Sequence, residues 1–262
     1  MFKLGLGLQG YTPSVIAFDS DAAAFFATAG VTDATAKTQI NSFVKGIKDL
    51  GLYNNMVCWP LRSSQNAGTG TTAYSLGGLG TYNGTLVNGP TWGADGITFD
   101  GTNDYIVTGA VPITGSNPRS LFAVGKSSTG NLNILATLSA AGSLNTETWG
   151  ILQFPNTTTL TGWGFNSDST IGTITSGAFN SSVFGYSTSR FGFINGISQT
   201  LSGATAAPNT KTNSLMHVGS QNGSQWFYNG QIPFVALFNS GASSTNIHTL
   251  YKTTLGQGLG LP

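Results

Sequence analysis

Residues 74–107 read YSLGGLGTYNGTLVNGPTWGADGITFDGTNDYIV. Three short apolar runs are separated here by Asn-Gly, Ala-Asp-Gly and Asp-Gly-Thr-Asn, the punctuation of antiparallel β-structure. Glycine adopts positive φ freely, and Asn and Asp tolerate it better than other residues, so the backbone can reverse within two or three positions.

Composition extends this reading to the whole chain. Its 262 residues carry 19 charged side chains, ten basic and nine acidic, or 7%, against roughly 25% in an average soluble protein. With 39% hydrophobic residues, 16 Phe and five Trp, the chain has ample material for a packed core, which argues against disorder. There is no cationic footprint for nucleic acid. No run of 18 apolar residues provides a membrane span. Cys58 is the single cysteine, so an intrachain disulfide framework is excluded; a buried place beside Trp59 suits it. The opening MFKLGLGLQGYTPSV lacks the apolar run of a secretory leader, so synthesis in a cytoplasm is expected.

Eight of the nineteen charges fall in the first fifty residues. Residues 1–17 have glycine at 5, 7 and 10 and a proline at 13, which reads as an extended arm. Ser20 is placed to cap a helix over residues 21–29 that Gly30 stops. From Asp33 to Leu50, Ala36, Ile40, Phe43, Val44, Ile47 and Leu50 recur at spacings of three and four, predicting one buried helix face ended by Gly51. Beyond residue 55 the texture is strand and turn. Strands are predicted at 96–99, 105–108, 120–126, 133–138, 149–154, 159–165, 182–187, 190–194, 214–219 and 231–239. So many short strands are most economically covered as two stacked sheets.

Three stretches carry a family resemblance. GTLVNGPTW leading into FDGTNDYI resembles the opening of a laminin G-like, concanavalin A-like jelly roll. RFGFINGISQT at 190–200 is similar to its hairpin, and LMHVGSQNGSQWFYNGQIPFVALFNSGASSTNIHTLY at 215–251 to its closing strands and short helix. The matches span about 74–251. The helical N-terminal stretch and the ending LYKTTLGQGLGLP resemble segments of tailed-bacteriophage structural proteins that carry this jelly roll. The resemblance implies a mainly β, two-sheet antiparallel sandwich with a small N-terminal two-helix appendage. The expected domains are an anchoring arm at 1–17, helices at 18–55, the sandwich at 56–250 and a C-terminal tail at 251–262. It further implies a virion structural protein, displayed on the particle as a head, collar, tail fibre or decoration component. Its partners would be copies of itself and other virion proteins.

The residues offer little that points to catalysis. Glycosidases typically pair two carboxylates across the bond they cut, whereas Glu147 is the single glutamate and no alternating acidic cluster accompanies it. The chain is therefore expected not to be an enzyme. No cofactor is expected. Asp100, Asn103 and Asp104 could hold a structural calcium ion, an oxygen-seeking cation, or bond their own turn as Asx motifs. His217 and His248 lack neighbours for zinc; a strand position is expected for the first and a surface position for the second. Gly5-x-Gly7-x-x-Gly10 has no strand before it, and Gly125-Lys126-Ser127 lacks the first glycine of a phosphate loop. Trp163, Trp226 and Tyr228 lie beside Gly- and Asn-rich turns and are the candidate contact residues, for a protein neighbour or a glycan, although rings in strands are more often core. The alternative function is a carbohydrate-binding adhesin recognising host surface glycans.

Overall fold

The computed structural model describes residues 17–127, 129–130, 132–140, 147–164, 167–242 and 245–262. The arm expected over 1–17 and the glycine pattern at 5–10 lie outside these residues, apart from residue 17. In chain order the elements are α1 (Ser20–Ala29), α2 (Ala34–Asp49), a 3-10 turn (Tyr53–Asn55), β1 (Met56–Pro60), β2 (Thr72–Ala73), β3 (Gly84–Val87), β4 (Ile97–Asp100), β5 (Tyr105–Ala110), β6 (Arg119–Lys126), β7 (Asn133–Ser139) and β8 (Trp149–Phe154). There follow β9 (Thr159–Gly164), β10 (Ser167–Thr173), β11 (Asn180–Tyr186), β12 (Arg190–Ile194), β13 (Ile197–Gln199), β14 (Ser202–Gly203), β15 (Leu215–Val218), β16 (Asn229–Phe238) and α3 (Thr245–Thr253).

Two antiparallel sheets form a sandwich of jelly-roll type. The first runs β1-β16-β6-β11-β12-β13, with β4 also on β16, and the second runs β14-β10-β9-β8-β7-β15-β5-β3-β2. Between them lies a core containing Val57, Trp59, Leu121, Ala123, Trp149, Ile151, Leu160, Phe184, Val235 and Leu237. Trp149 of one sheet and Phe184 of the other stack across it at 4.1 Å between centroids, 12° from parallel.

The three apolar runs of 74–107 are not successive neighbours in one sheet, as tight reversals between them would suggest. β3 and β5 pair with each other in the second sheet, while β4 pairs with β16 in the first. The turn at 100–104 is thus a corner between layers. Asp100 Oδ1 accepts from the N–H groups of Thr102 and Asn103 at 2.8 and 3.2 Å, and Asp104 Oδ2 accepts from the Asp100 N–H at 3.2 Å. Side-chain oxygens replace the ladder partners that the backbone loses where it changes sheet.

The first sheet is covered on both sides. Alternate residues of β6 and β16, Phe122, Val124, Phe234, Ala236 and Phe238, turn away from the central core and join Ala22, Phe25, Phe26, Ile40, Phe43, Val44 and Ile47 of α1 and α2 in a second core. Asp19, not Ser20, caps α1 by accepting from the Asp21 N–H, and Asp33 caps α2 by accepting from the Ala36 N–H at 2.7 Å. A carboxylate meets the first-turn N–H groups and the positive end of the helix dipole together, which favours Asp over its Ser neighbour. Gly46 lets α2 approach α3 closely, because a Cβ there would overlap the Leu250 side chain.

The glycine-rich ending does not project as a free tail. Leu255, Leu259 and Leu261 are buried in the helix-side core. Arg62 and the buried Gln65 donate to the carbonyl of Leu255, and Arg62 also to that of Gln257. Three leucines at this spacing have more to gain from their own sheet than from solvent.

Candidate functional site

The second sheet turns its outer face away from the helices, and the site is built there on β9. The sequence Gly162-Trp163-Gly164 is shaped by alternation. Gly162 faces inward, where a Cβ would overlap the Phe184 ring, and Gly164 lies against Trp149. Trp163 is thereby turned outward, where it joins Ile134 and Leu152 in a small separate apolar cluster edged by the half-buried Leu132 and Phe154. Cross-strand pairing sets its neighbours: Asp168 of β10 on one side and Gly150 of β8 on the other. The same row continues through Thr137, His217, Val107 and Thr85.

The segment between β15 and β16 folds back over this row. Thr137 Oγ1 donates to the Ser220 carbonyl at 3.1 Å, and the Ile134 N–H donates to the Trp226 carbonyl at 3.2 Å. Within the segment, Asn222 and Gly223 both have positive φ, and Gln225 Nε2 donates to Gln221 Oε1 at 2.6 Å. Gln221 is buried, and its Nε2 finds no acceptor among the described residues.

Of the three residues singled out from sequence, the structure brings two together. Trp226 is 39% exposed and has φ of 54°, a left-handed conformation that costs a bulky side chain about 1 kcal/mol or more. Its ring stands edge-on to that of Trp163, 5.3 Å between centroids. Trp163 itself is buried beneath it. Tyr228 is corrected: it is fully buried, its hydroxyl donates to Gln153 Oε1 at 2.9 Å, and burial pushes its phenol well above the ordinary range. The reason is that 226–228 is not strand, so outward alternation does not apply and Tyr228 drops between the sheets against Phe99.

Asp168 was missed. It is exposed beside Trp163. Burial of its surroundings pushes its carboxyl above the usual value, and Arg190 pulls it down. The available signal was the polar run after Trp163, which marks a hairpin and so fixes which residue faces the ring. His217 is a strand residue, as expected, but buried; desolvation lowers it to about 4, and Ser139 Oγ lies 3.5 Å from its Nδ1. His248 is a second correction: it is buried, not on the surface, held between Ser181 Oγ at 2.7 Å and the Pro262 carbonyl at 3.2 Å. Asp100 is held below the usual carboxylate range first by the Thr102 N–H, while burial and the charge of Asp100 raise Asp104. Both carboxylates thus bond their own turn, and no cluster of three metal-ligating side chains occurs among the described residues. Glu147 pairs with Lys211 at 2.6 Å. Among the described residues no helix is long and apolar enough to cross a membrane.

No protein-family model and no curated protein sequence matches the chain. Solved structures do. The chain is similar to Trypanosoma rangeli sialidase, with 14% identity and a TM-score of 0.54 over 84% of this chain and 39% of that one. It is similar to the same sialidase in complex with the inhibitor DANA, with 13% identity and a TM-score of 0.56 over 84% and 40%. It also resembles the botulinum neurotoxin serotype D binding domain, with 8% identity and a TM-score of 0.51 over 78% and 53%. The chain therefore spans about two fifths of the sialidase and about half of the neurotoxin domain. Such identities speak for the fold.

These neighbours overturn the expectation that the chain is not an enzyme. A mutant of the sialidase displaying trans-sialidase activity is also among them, so the fold is shared with catalysts. Sialidases depart from the two-carboxylate scheme, so a lack of paired carboxylates does not exclude catalysis on this fold. What fold and site together establish is a two-sheet antiparallel sandwich of jelly-roll type with an exposed, strained tryptophan on its helix-free face.

Proposed function

We propose that the chain is a glycan-recognition module whose contact surface is the Trp226 ring, supported by Trp163 and flanked by the polar segment 221–225. The observation that carries this is the strained, exposed Trp226 seated on a buried Trp163. Holding a large ring at positive φ is unfavourable, and such positions concentrate at functional sites. A flat apolar face bordered by Gln, Asn and Ser suits a sugar, which offers C–H groups on one face and hydroxyls at its rim. At the level of fold, support comes from Trypanosoma rangeli sialidase, whose structure has been solved in complex with 2,3-difluorosialic acid. Display on a virion, with other virion proteins as partners, is the setting that the sequence resemblance implies; the structural neighbours give it no support, and the glycan reading does not depend on it.

A glycan array followed by titration tests the reading. Binding is expected to fall at least about tenfold in Trp226→Ala, and to survive in Trp226→Phe, which keeps a stacking face. Absence of any binding across the array, or equal affinity in the alanine variant, overturns it.

A further inference from the structure

Resting on the glycan reading of the Trp226 surface, we propose that this site takes a neutral pyranose and rejects sugars that carry a carboxylate. The residue that decides this is Asp168. It pairs directly with Trp163 across β9 and β10, on the same outward side, because neighbouring strands present paired residues on one face. Trp163 in turn supports Trp226 at 5.3 Å. A sugar stacked on Trp226 therefore has a carboxylate at the edge of its platform. An ionised carboxylate only accepts hydrogen bonds, through two oxygens. Adjacent hydroxyls of a neutral sugar can donate to both, and bonds to a charged acceptor are the stronger kind.

An acidic sugar meets the opposite situation. Its own carboxylate is repelled by Asp168 unless a cation intervenes. Arg190 is close enough to influence Asp168, but its guanidinium is committed elsewhere. It lies between the sheets over Trp149 and Phe184, and it donates to the carbonyls of Ala206 and Gly164 and to Ser169 Oγ at 2.7, 2.8 and 3.0 Å. Lys211, at the start of the segment leading into β15, is paired with Glu147. Among the described residues, Thr161 and Thr170, which pair next along β9 and β10, and Asn222, Ser224 and Gln225 of the segment that carries Trp226 are uncharged.

The test uses the whole chain and two sets of immobilised oligosaccharides, one ending in galactose, glucose or mannose and the other in sialic or glucuronic acid. Neutral ends are expected to bind at least about tenfold more tightly than acidic ends. Asp168→Asn, which keeps shape and removes charge, is expected to weaken neutral binding by about tenfold and to narrow the gap between the sets. Asp168→Ser, with an unchanged unfolding midpoint, guards against a folding defect in the first variant. Acidic ends bound as well as neutral ones, or neutral binding untouched in both variants, overturns the assignment while leaving the Trp226 reading intact if Trp226→Ala still weakens binding at least about tenfold. Silence toward both sets removes the two proposals together.

Discussion

Phe43 of α2 meets Phe234 of β16 edge-on, with 5.5 Å between ring centroids. Phe234 in turn touches Phe122 and Tyr251 at 5.8 and 4.7 Å, so this one ring joins the N-terminal helices, the first sheet and α3. Phe43→Ala is expected to lower stability by about 3–5 kcal/mol. Because the cavity opens in a core shared by helices and sheet, the loss should appear as one shifted transition in urea. A separate early transition of the helices, with the sheet signal unchanged, would contradict this.

His217 makes stability depend on pH. Its imidazole is 3% exposed and lowered to about 4 by burial, against about 6.5 in an unfolded chain. Between those values the unfolded state binds a proton that the folded state does not. Stability should therefore be complete above pH 6.5, fall as pH drops toward 4, and change no further from this source below that. The whole effect is on the order of 3 kcal/mol. Denaturant titrations at several pH values in that window measure it, and His217→Gln should flatten the slope.

The C-terminal leucines offer a third check. Leu255 is completely buried, and the carbonyls of 255 and 257 accept from Arg62. Leu255→Ala should cost about 2–5 kcal/mol, and Arg62→Met a smaller amount, because the Leu255 carbonyl keeps its bond from Gln65 and Gln257 is exposed. If both variants unfold like the parent, the tail does not help to hold the helix-side core.

A comparison of two truncations isolates the strain at Trp226. Both Trp226→Gly and Trp226→Ala remove the ring, but only glycine accepts φ of 54° without steric cost. The glycine variant should be the more stable of the two by about 1 kcal/mol, in reverse of the usual order for these residues. Equal unfolding midpoints would mean that the backbone relaxes once the ring is gone.

Much of this was legible in the sequence, for reasons that particular residues make plain. Ala36, Ile40, Phe43, Val44 and Ile47 announced α2 because a helix with one buried face leaves a period. Asn195 and Gly196, at φ of 51° and 78°, marked the β12–β13 reversal because few other pairs accept that turn. Phe234–Phe238 was readable as strand, yet not as a strand buried on both sides, since a continuous apolar run fits several environments. β1 was missed for the same reason: Met56–Pro60 is buried throughout and does not alternate. In the candidate site, Trp163 and Trp226 were visible as unusual residues. Their edge-on contact was not, because it depends on a long-range return of the chain. Tyr228 misled because its neighbour's positive φ breaks the alternation that would have placed it, and nothing local to WFYNG reports a left-handed tryptophan.

The helices, α3 and residues 255–261 all pack against the same side of the first sheet, whereas Trp226 lies over the outer face of the second, against Trp163. A support coupled through residue 262 would accordingly leave the tryptophan pointing into the medium. Immobilisation by that end should therefore preserve capture, while chemistry that anchors the molecule through the β9–β10 hairpin should silence it.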